Sequence, residues 1–302
     1  MDKYLITIVG PTAIGKTSLS IELAKHFNTE IISSDSRQFY KEMSIGTAVP
    51  DKNERSTIKH HFIQNISIHD SYSVGQFEKD AISKLDELFK KNNYVIMVGG
   101  SGLYTNAVLN GLDNFPKVDP AIRENLKAKL KENGILPLQE QLKKLDVETY
   151  QKIDVDNHQR LIRALEICIG TGKPYATFLT DKSTQRSFIP IKIGLTTDRA
   201  IIYSRINQRV DIMMNNGLLN EVEPLLKHKE LNALQTVGYK ELFSYLENET
   251  SLDFALEEIK KNTRRFAKRQ LTWYRKDHEI KWFDFKENKQ LIIDYINQKI
   301  EL

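Results

Sequence analysis

The chain has 302 residues, 40% of them hydrophobic and 28% charged, with a net charge of +4, which fits a globular enzyme built as one large domain or as a core with an insertion. Its single cysteine, Cys168, excludes an intrachain disulfide and a cysteine-based zinc finger and fits a reducing compartment. No stretch approaches about 18 uninterrupted apolar residues, so no membrane span is expected, and a strand beginning within a few residues of Met1 leaves no room for a signal or transit peptide.

Tyr4 to Val9 is an apolar, β-branched run that leads into Gly10-Pro11-Thr12-Ala13-Ile14-Gly15-Lys16-Thr17. Beyond it, Leu19, Leu23 and Phe27 recur at helical spacing, so the stretch predicts strand, phosphate loop and helix. Gly10 and Gly15 allow the torsions that turn successive N–H groups inward, and the helix adds its positive end. Lys16 supplies an ammonium for phosphate oxygens, and the Thr17 hydroxyl is the usual Mg²⁺ ligand of such a loop. A plain turn would have no use for Lys-Thr here. The loop predicts a bound di- or triphosphate but does not distinguish a nucleotide from another diphosphate ester.

Glu30–Ser34 predicts a second strand, ending in Asp35-Ser36-Arg37-Gln38. Ligands of open α/β sheets gather beyond the carboxyl ends of strands, which puts Asp35 beside the loop. It reads as a general base or Mg²⁺ partner, or alternatively as a capping or turn aspartate. Residues 43–50 predict a loop over the site. His60 and His61 read as structural, because too few ligands lie near them for a metal. Ser73–Leu88 predicts a packed helix and Tyr94–Val98 a buried third strand. That strand ends in Gly99-Gly100-Ser101-Gly102-Leu103-Tyr104 rather than in a Walker-B aspartate, which argues against a motor ATPase. No Asn-Lys-x-Asp tetrapeptide supports a GTPase. The glycines let backbone approach a ligand, with the Ser101 hydroxyl aimed at it, or they form only a tight turn.

From Phe115 to about Ile189, prolines punctuate short polar helical patterns, predicting a helical insertion. Arg160 and Arg163 share one helix face there, while Leu161, Leu165 and Cys168 face a core. Ile191–Leu195 predicts a fourth strand, and a helix from Asp198 to about Met214 follows, with Gly217 as a stop. Arg205 and Arg209, four apart on it, repel by a few tenths of a kcal/mol, which an anionic partner would offset; solvation of both at the surface is the alternative. In residues 257–276, Ile259, Thr263, Phe266, Gln270 and Trp273 form one narrow, mainly apolar stripe. Lys261, Arg264, Arg265, Lys268 and Arg275 crowd the opposite side, a footprint for a polyanion.

These segments together resemble the tRNA dimethylallyltransferase (isopentenyl-tRNA transferase) family along essentially the whole chain. The matching motifs are Gly10–Thr17, Asp35–Gln38, Ile45–Ala48, His60-His61, Gly99–Tyr104, Gln159–Glu166, Arg205–Arg209, Val237–Glu241 and Ala267–Trp273. The resemblance implies a P-loop α/β core of residues 1–115 and 190–302, with a parallel sheet flanked by helices, and an all-helical tRNA-binding insertion at 116–189. It implies transfer of a dimethylallyl group from its diphosphate to the exocyclic N6 amine of the adenosine just 3′ of a tRNA anticodon. By resemblance Asp35 is the base, and Lys16, the loop amides of residues 10–17, Mg²⁺ on Thr17 and Arg209 hold the leaving diphosphate. Ser101 stands where the family usually has threonine and keeps a hydroxyl for Asp35, substrate or tRNA.

The target base must leave its stack, with Gln38 and the Asp35–Arg37 backbone, Ser36 included, placed to read it. Arg123, Gln159, Arg160, Leu161, Ile162 and Arg163 of the insertion would contact the tRNA anticodon stem-loop, and the basic C-terminal helix its backbone. The absence of C-terminal zinc-finger cysteines resembles the bacterial form, a cytoplasmic monomer. A small-molecule kinase, a prenyl transferase acting on free adenine nucleotide and an ATP-driven nucleic-acid switch are the alternatives. The first and last predict ATP turnover without the Walker-B carboxylate, and the second leaves the arginines unexplained.

Overall fold

The computed structural model describes residues 2–179 and 184–301, so residues 180–183, which fall in the expected insertion, lie outside the described residues. Contacts divide the chain into two compact units, Met1–Asn110 with Gln185–Leu302, and Gly111–Thr184.

Among the described residues the first unit holds six parallel strands: β1 (Tyr4–Val9), β2 (Ile31–Ser33), β3 (His60–His61), β4 (Tyr94–Val98), β5 (Ile189–Thr196) and β6 (Lys281–Asp284). Their order across the sheet is β3-β2-β4-β1-β5-β6. β1 lies centrally, in register with β4 from Tyr4 opposite Tyr94 and with β5 from Tyr4 opposite Ile189. Its side chains alternate as a strand buried on both faces requires. Tyr4, Ile6 and Ile8 join a cluster with Leu19, Leu23, Ile202, Ile206, Ile292 and Ile296, whereas Leu5 faces Phe77, Ala81, Leu85 and Val108. The first face is covered by α1 (Lys16–His26) and the other by α3 (Val74–Leu88) and α4 (Gly102–Asn110), after the short α2 (Lys52–Thr57). The Ser73 hydroxyl caps α3 by accepting from Gln76 N–H.

The second unit is helical: α5 (Pro120–Asn133), α6 (Leu136–Leu145), α7 (Val147–Lys152) and α8 (His158–Thr171). It closes over its own core of Leu126, Leu138, Leu142, Leu161 and Leu165. Asp119 caps α5 ahead of Pro120, and Asn157 caps α8 by accepting from the amides of Gln159 and Arg160.

The first unit resumes with α9 (Arg199–Asn215), α10 (Leu218–Val222), α11 (Tyr239–Leu246), α12 (Leu252–Tyr274) and α13 (Lys289–Ile300). Three features depart from the sequence reading. Asp198 precedes α9 but gives no side-chain cap bond. The α12 helix starts at Leu252, five residues early, because Ser251 caps it by accepting from Phe254 N–H. Gly217 has φ +92° and opens α10 as well as following α9.

Candidate active site

The phosphate loop leaves β1 through Gly10, whose φ of +146° and close packing both demand glycine: a Cβ there would lie 2.6 Å from the Leu195 carbonyl oxygen of β5. Gly15, at φ +106°, opens α1. Lys16 folds back so that its Nζ donates to the carbonyls of Gly10 (3.0 Å) and Pro11 (2.8 Å). Burial pulls the Lys16 ammonium down to about 7; Asp35 opposes this and Arg209 adds to it.

One loop amide does not face a ligand. Thr12 N–H donates to Gln270 Oε1 of α12 (2.8 Å), and Gln270 Nε2 donates to the Gly100 carbonyl (2.9 Å). Gln270 is buried, and both ends of its amide are matched, as a buried polar group requires. The sequence reading placed it in a mainly apolar stripe and gave it no role. The signal was there in principle, since an amide on the buried side of an amphipathic helix needs polar partners. Gln270→Ala is expected to cost about 1–3 kcal/mol, read as a lower thermal midpoint, and to weaken donor binding as the loop loosens.

Asp35 follows β2. Its Oδ1 accepts from Arg37 N–H (3.1 Å), its carbonyl accepts from Gln38 N–H (3.1 Å), and burial raises its pKa against the pull of that amide, Lys16 and Arg37. A carboxylate so placed is a stronger base than a free aspartate. Ser101 does not bond to Asp35. Its Oγ accepts from Ser36 N–H and pairs with Ser36 Oγ, both at 3.0 Å, so it fixes the turn that carries Asp35.

The side chains of Arg37 and Gln38 have protein partners as well. Arg37 donates to the Asn232 and Ala233 carbonyls, and Gln38 Nε2 to those of Thr47 and Ala48. The 43–50 loop is further held by Glu221, whose carboxylate accepts from the amides of Ser44, Ile45 and Gly46 and from Tyr239 Oη (2.7 Å).

The two α9 arginines separate. Arg205 Nε donates to the Ala13 carbonyl (2.7 Å), and its guanidinium lies over the Phe285 ring, so the loop and an aromatic face engage it. Arg209 reaches Thr12 Oγ1 (3.4 Å), and burial together with Arg205 lowers its pKa. Of the two, Arg209 alone lines the cavities described next.

Two cavities meet here. One, of about 770 Å³, is lined by Gly15, Lys16, Thr17 and the 44–50 loop; the other, of about 570 Å³, by Ser36, Arg37, Ser101 and the Phe266–Arg269 turn of α12. Thr12, Asp35, Thr47, Ala48, Arg209 and Met213 line both. His60 lines the first, with Nδ1 bonded to the Ile58 carbonyl, and His61 pairs with Glu30. Among the described residues no group of three or more His, Cys, Asp or Glu could hold a metal ion.

In the helical unit, considered alone, Arg160 is exposed. Arg123 and Arg163 both pair with the buried Glu166, at 2.7 and 3.1 Å, and Arg163 also lies over Phe115. Gln159 is exposed at the start of α8. Leu161 and Ile162, expected among the RNA contacts, have their side chains buried in this unit's core on the inward face of α8.

A phosphate loop at the carboxyl end of a central parallel strand, a strand β4 with no terminal carboxylate, and a buried aspartate shared by two chambers fit a P-loop group transferase. The IPP transferase family model matches residues 38–277, and the chain belongs to that family. It is 64% identical to a tRNA dimethylallyltransferase of Christiangramia forsetii over 99% of both chains. Its fold is similar to a tRNA isopentenylpyrophosphate transferase of Bacillus halodurans (37% identity, TM-score 0.73, 100% of this chain and 97% of that one). It is also similar to a eukaryotic dimethylallyltransferase acting on tRNA (27% identity, TM-score 0.82, 99% and 80%).

Proposed function

We propose that this enzyme transfers a dimethylallyl group from dimethylallyl diphosphate to the N6 amine of the adenosine 3′ of a tRNA anticodon. The observation that carries this reading is the position of Asp35 and Arg209 in the shared wall of the two chambers. The loop chamber takes the donor's diphosphate, and the chamber beside Ser36 and Ser101 takes the flipped purine. The amine nitrogen attacks C1 of the allyl group as its C–O bond breaks. The bonding pair leaves with the diphosphate, and Asp35 accepts the amine proton. A positioned base contributes about 10²–10⁴-fold, and cations fixed at the leaving oxygens favour the transition state over the ground state.

Mg²⁺ fits this donor set. The Thr17 hydroxyl lines the loop chamber, and an ion carried mainly by phosphate oxygens and water needs few protein ligands. Thr17 would hold it, and when bound it would neutralise charge on the diphosphate. No helix among the described residues is long and apolar enough to cross a membrane, and a tRNA acceptor supports a cytoplasmic site of action.

The test is incubation with dimethylallyl diphosphate and unmodified tRNA followed by nucleoside mass analysis, with ATP in a parallel arm. A mass gain of one dimethylallyl group on adenosine supports the reading; ATP turnover without it refutes it. The exposed Arg160, the Arg123–Arg163 pair and the cations of α12 imply counterion release on RNA binding. Affinity for tRNA is therefore expected to fall roughly tenfold or more between 50 and 200 mM salt, measured by filter binding.

A further inference from the structure

Phe266 and Trp273 belong to the stripe read from sequence as mainly apolar, yet each is 39% exposed. They lie seven residues apart on α12, hence within about 20° of one another around the helix and about 10 Å apart along it. Phe266 lines the Ser36–Ser101 chamber, and the Arg269 guanidinium lies over its ring. Trp273 packs against Gly102, the neighbour of the lining residue Ser101: a Cβ on Gly102 would lie 2.3 Å from its indole. Around them Arg265, Lys268, Arg269, Arg275 and Lys276 are exposed, and no acidic residue occurs from 262 to 276. Burial does not account for two large aromatic side chains left part-exposed among cations, whereas aromatic platforms interleaved with arginine are how proteins hold unstacked nucleotides.

We infer that Phe266 and Trp273 are stacking platforms for the anticodon-loop bases that flank the target adenosine. This rests on the functional reading above, because extruding one base removes a stacking partner from its neighbours. The rings stand at the mouth of the chamber that receives the flipped base and replace the lost stack, while the surrounding cations hold the strand. Charge selects the occupant: the face is positive throughout and fits a polyanion carrying flat apolar bases.

The chain has two tryptophans, and the other, Trp282, packs against Gly194 of β5. In a Trp282→Phe background, emission therefore reports Trp273 alone. Titration with an unmodified anticodon stem-loop is expected to quench it saturably. Phe266→Ala and Trp273→Ala are each expected to raise KM for tRNA about five- to a hundredfold, the range of base–aromatic stacking. KM for dimethylallyl diphosphate should stay unchanged, and Trp273→Phe should recover most of the loss.

If the wild type prenylates tRNA but Trp273 emission does not respond and Phe266→Ala keeps the wild-type KM for tRNA, the stacking inference is overturned and the function stands. If the wild type does not prenylate tRNA, the functional reading itself fails. Emission that changes with protein concentration in the absence of RNA would assign the face to a second copy of the chain and also overturn the inference.

Discussion

Asp35→Asn is expected to lower turnover at least a hundredfold while affinity for dimethylallyl diphosphate stays within a few-fold of wild type. The amide keeps the size of the side chain and can still accept from Arg37 N–H, which now bonds Asp35 Oδ1 at 3.1 Å. It cannot take the amine proton as the C–N bond forms. Single-turnover measurement with saturating donor isolates the chemical step, and near-normal rates would remove Asp35 as the base. The pH–rate profile gives a second check. Burial raises the Asp35 carboxyl above the ordinary aspartate range, so the acid limb of the wild-type profile should lie above that range. In Asp35→Asn this limb should disappear.

Lys16→Ala is expected to weaken donor binding by about 10- to 100-fold, the scale of a charge-assisted hydrogen bond lost from a site with little water. Calorimetry with dimethylallyl diphosphate measures it directly, and unchanged affinity would refute the loop assignment. The pH dependence has a definite sign. With no anion bound, Lys16 titrates at about 7, so above that pH the ammonium of the unliganded enzyme increasingly loses its proton. A bound diphosphate favours the charged form, and binding therefore takes up a proton. Affinity should fall as pH rises above 7, by up to about tenfold per unit, and Lys16→Ala should abolish that slope.

Both predictions concern parts of the molecule that local sequence patterns reveal. The phosphate loop and the strands around it are legible because each rests on neighbours within a few residues: glycines at fixed offsets, a β-branched run, a helical repeat. The helix α12 was legible as an amphipathic helix, but its periodicity could not say which stripe residues would be buried. Ile259 and Gln270 go inward, while Phe266 and Trp273 stay exposed. Gln270 acquires its meaning from Thr12, 258 residues away, and no local window contains both.

The Arg205–Arg209 spacing pointed to an anion, yet the partners that separate the two are the Ala13 carbonyl and Phe285, again distant in sequence. The β6 strand went unread because Lys281–Asp284 is four residues long with charged ends, and it exists only by pairing with β5. Leu161 and Ile162 show another limit, since their side chains are buried in the helical unit's core. They sit inside a motif rich in arginine, and motif membership says nothing about which way each side chain of a helix points.

The bond from Gln270 to Thr12 has a consequence for biosynthesis. The cradle acquires its clamp only from a helix 258 residues further along the chain, and β1 cannot gain its β5 neighbour until the chain beyond residue 189 has emerged. Such long-range closure is slow to form. A nascent chain therefore displays the phosphate loop without the finished pocket, and prenyl-donor binding should appear on the ribosome only after α12 has emerged.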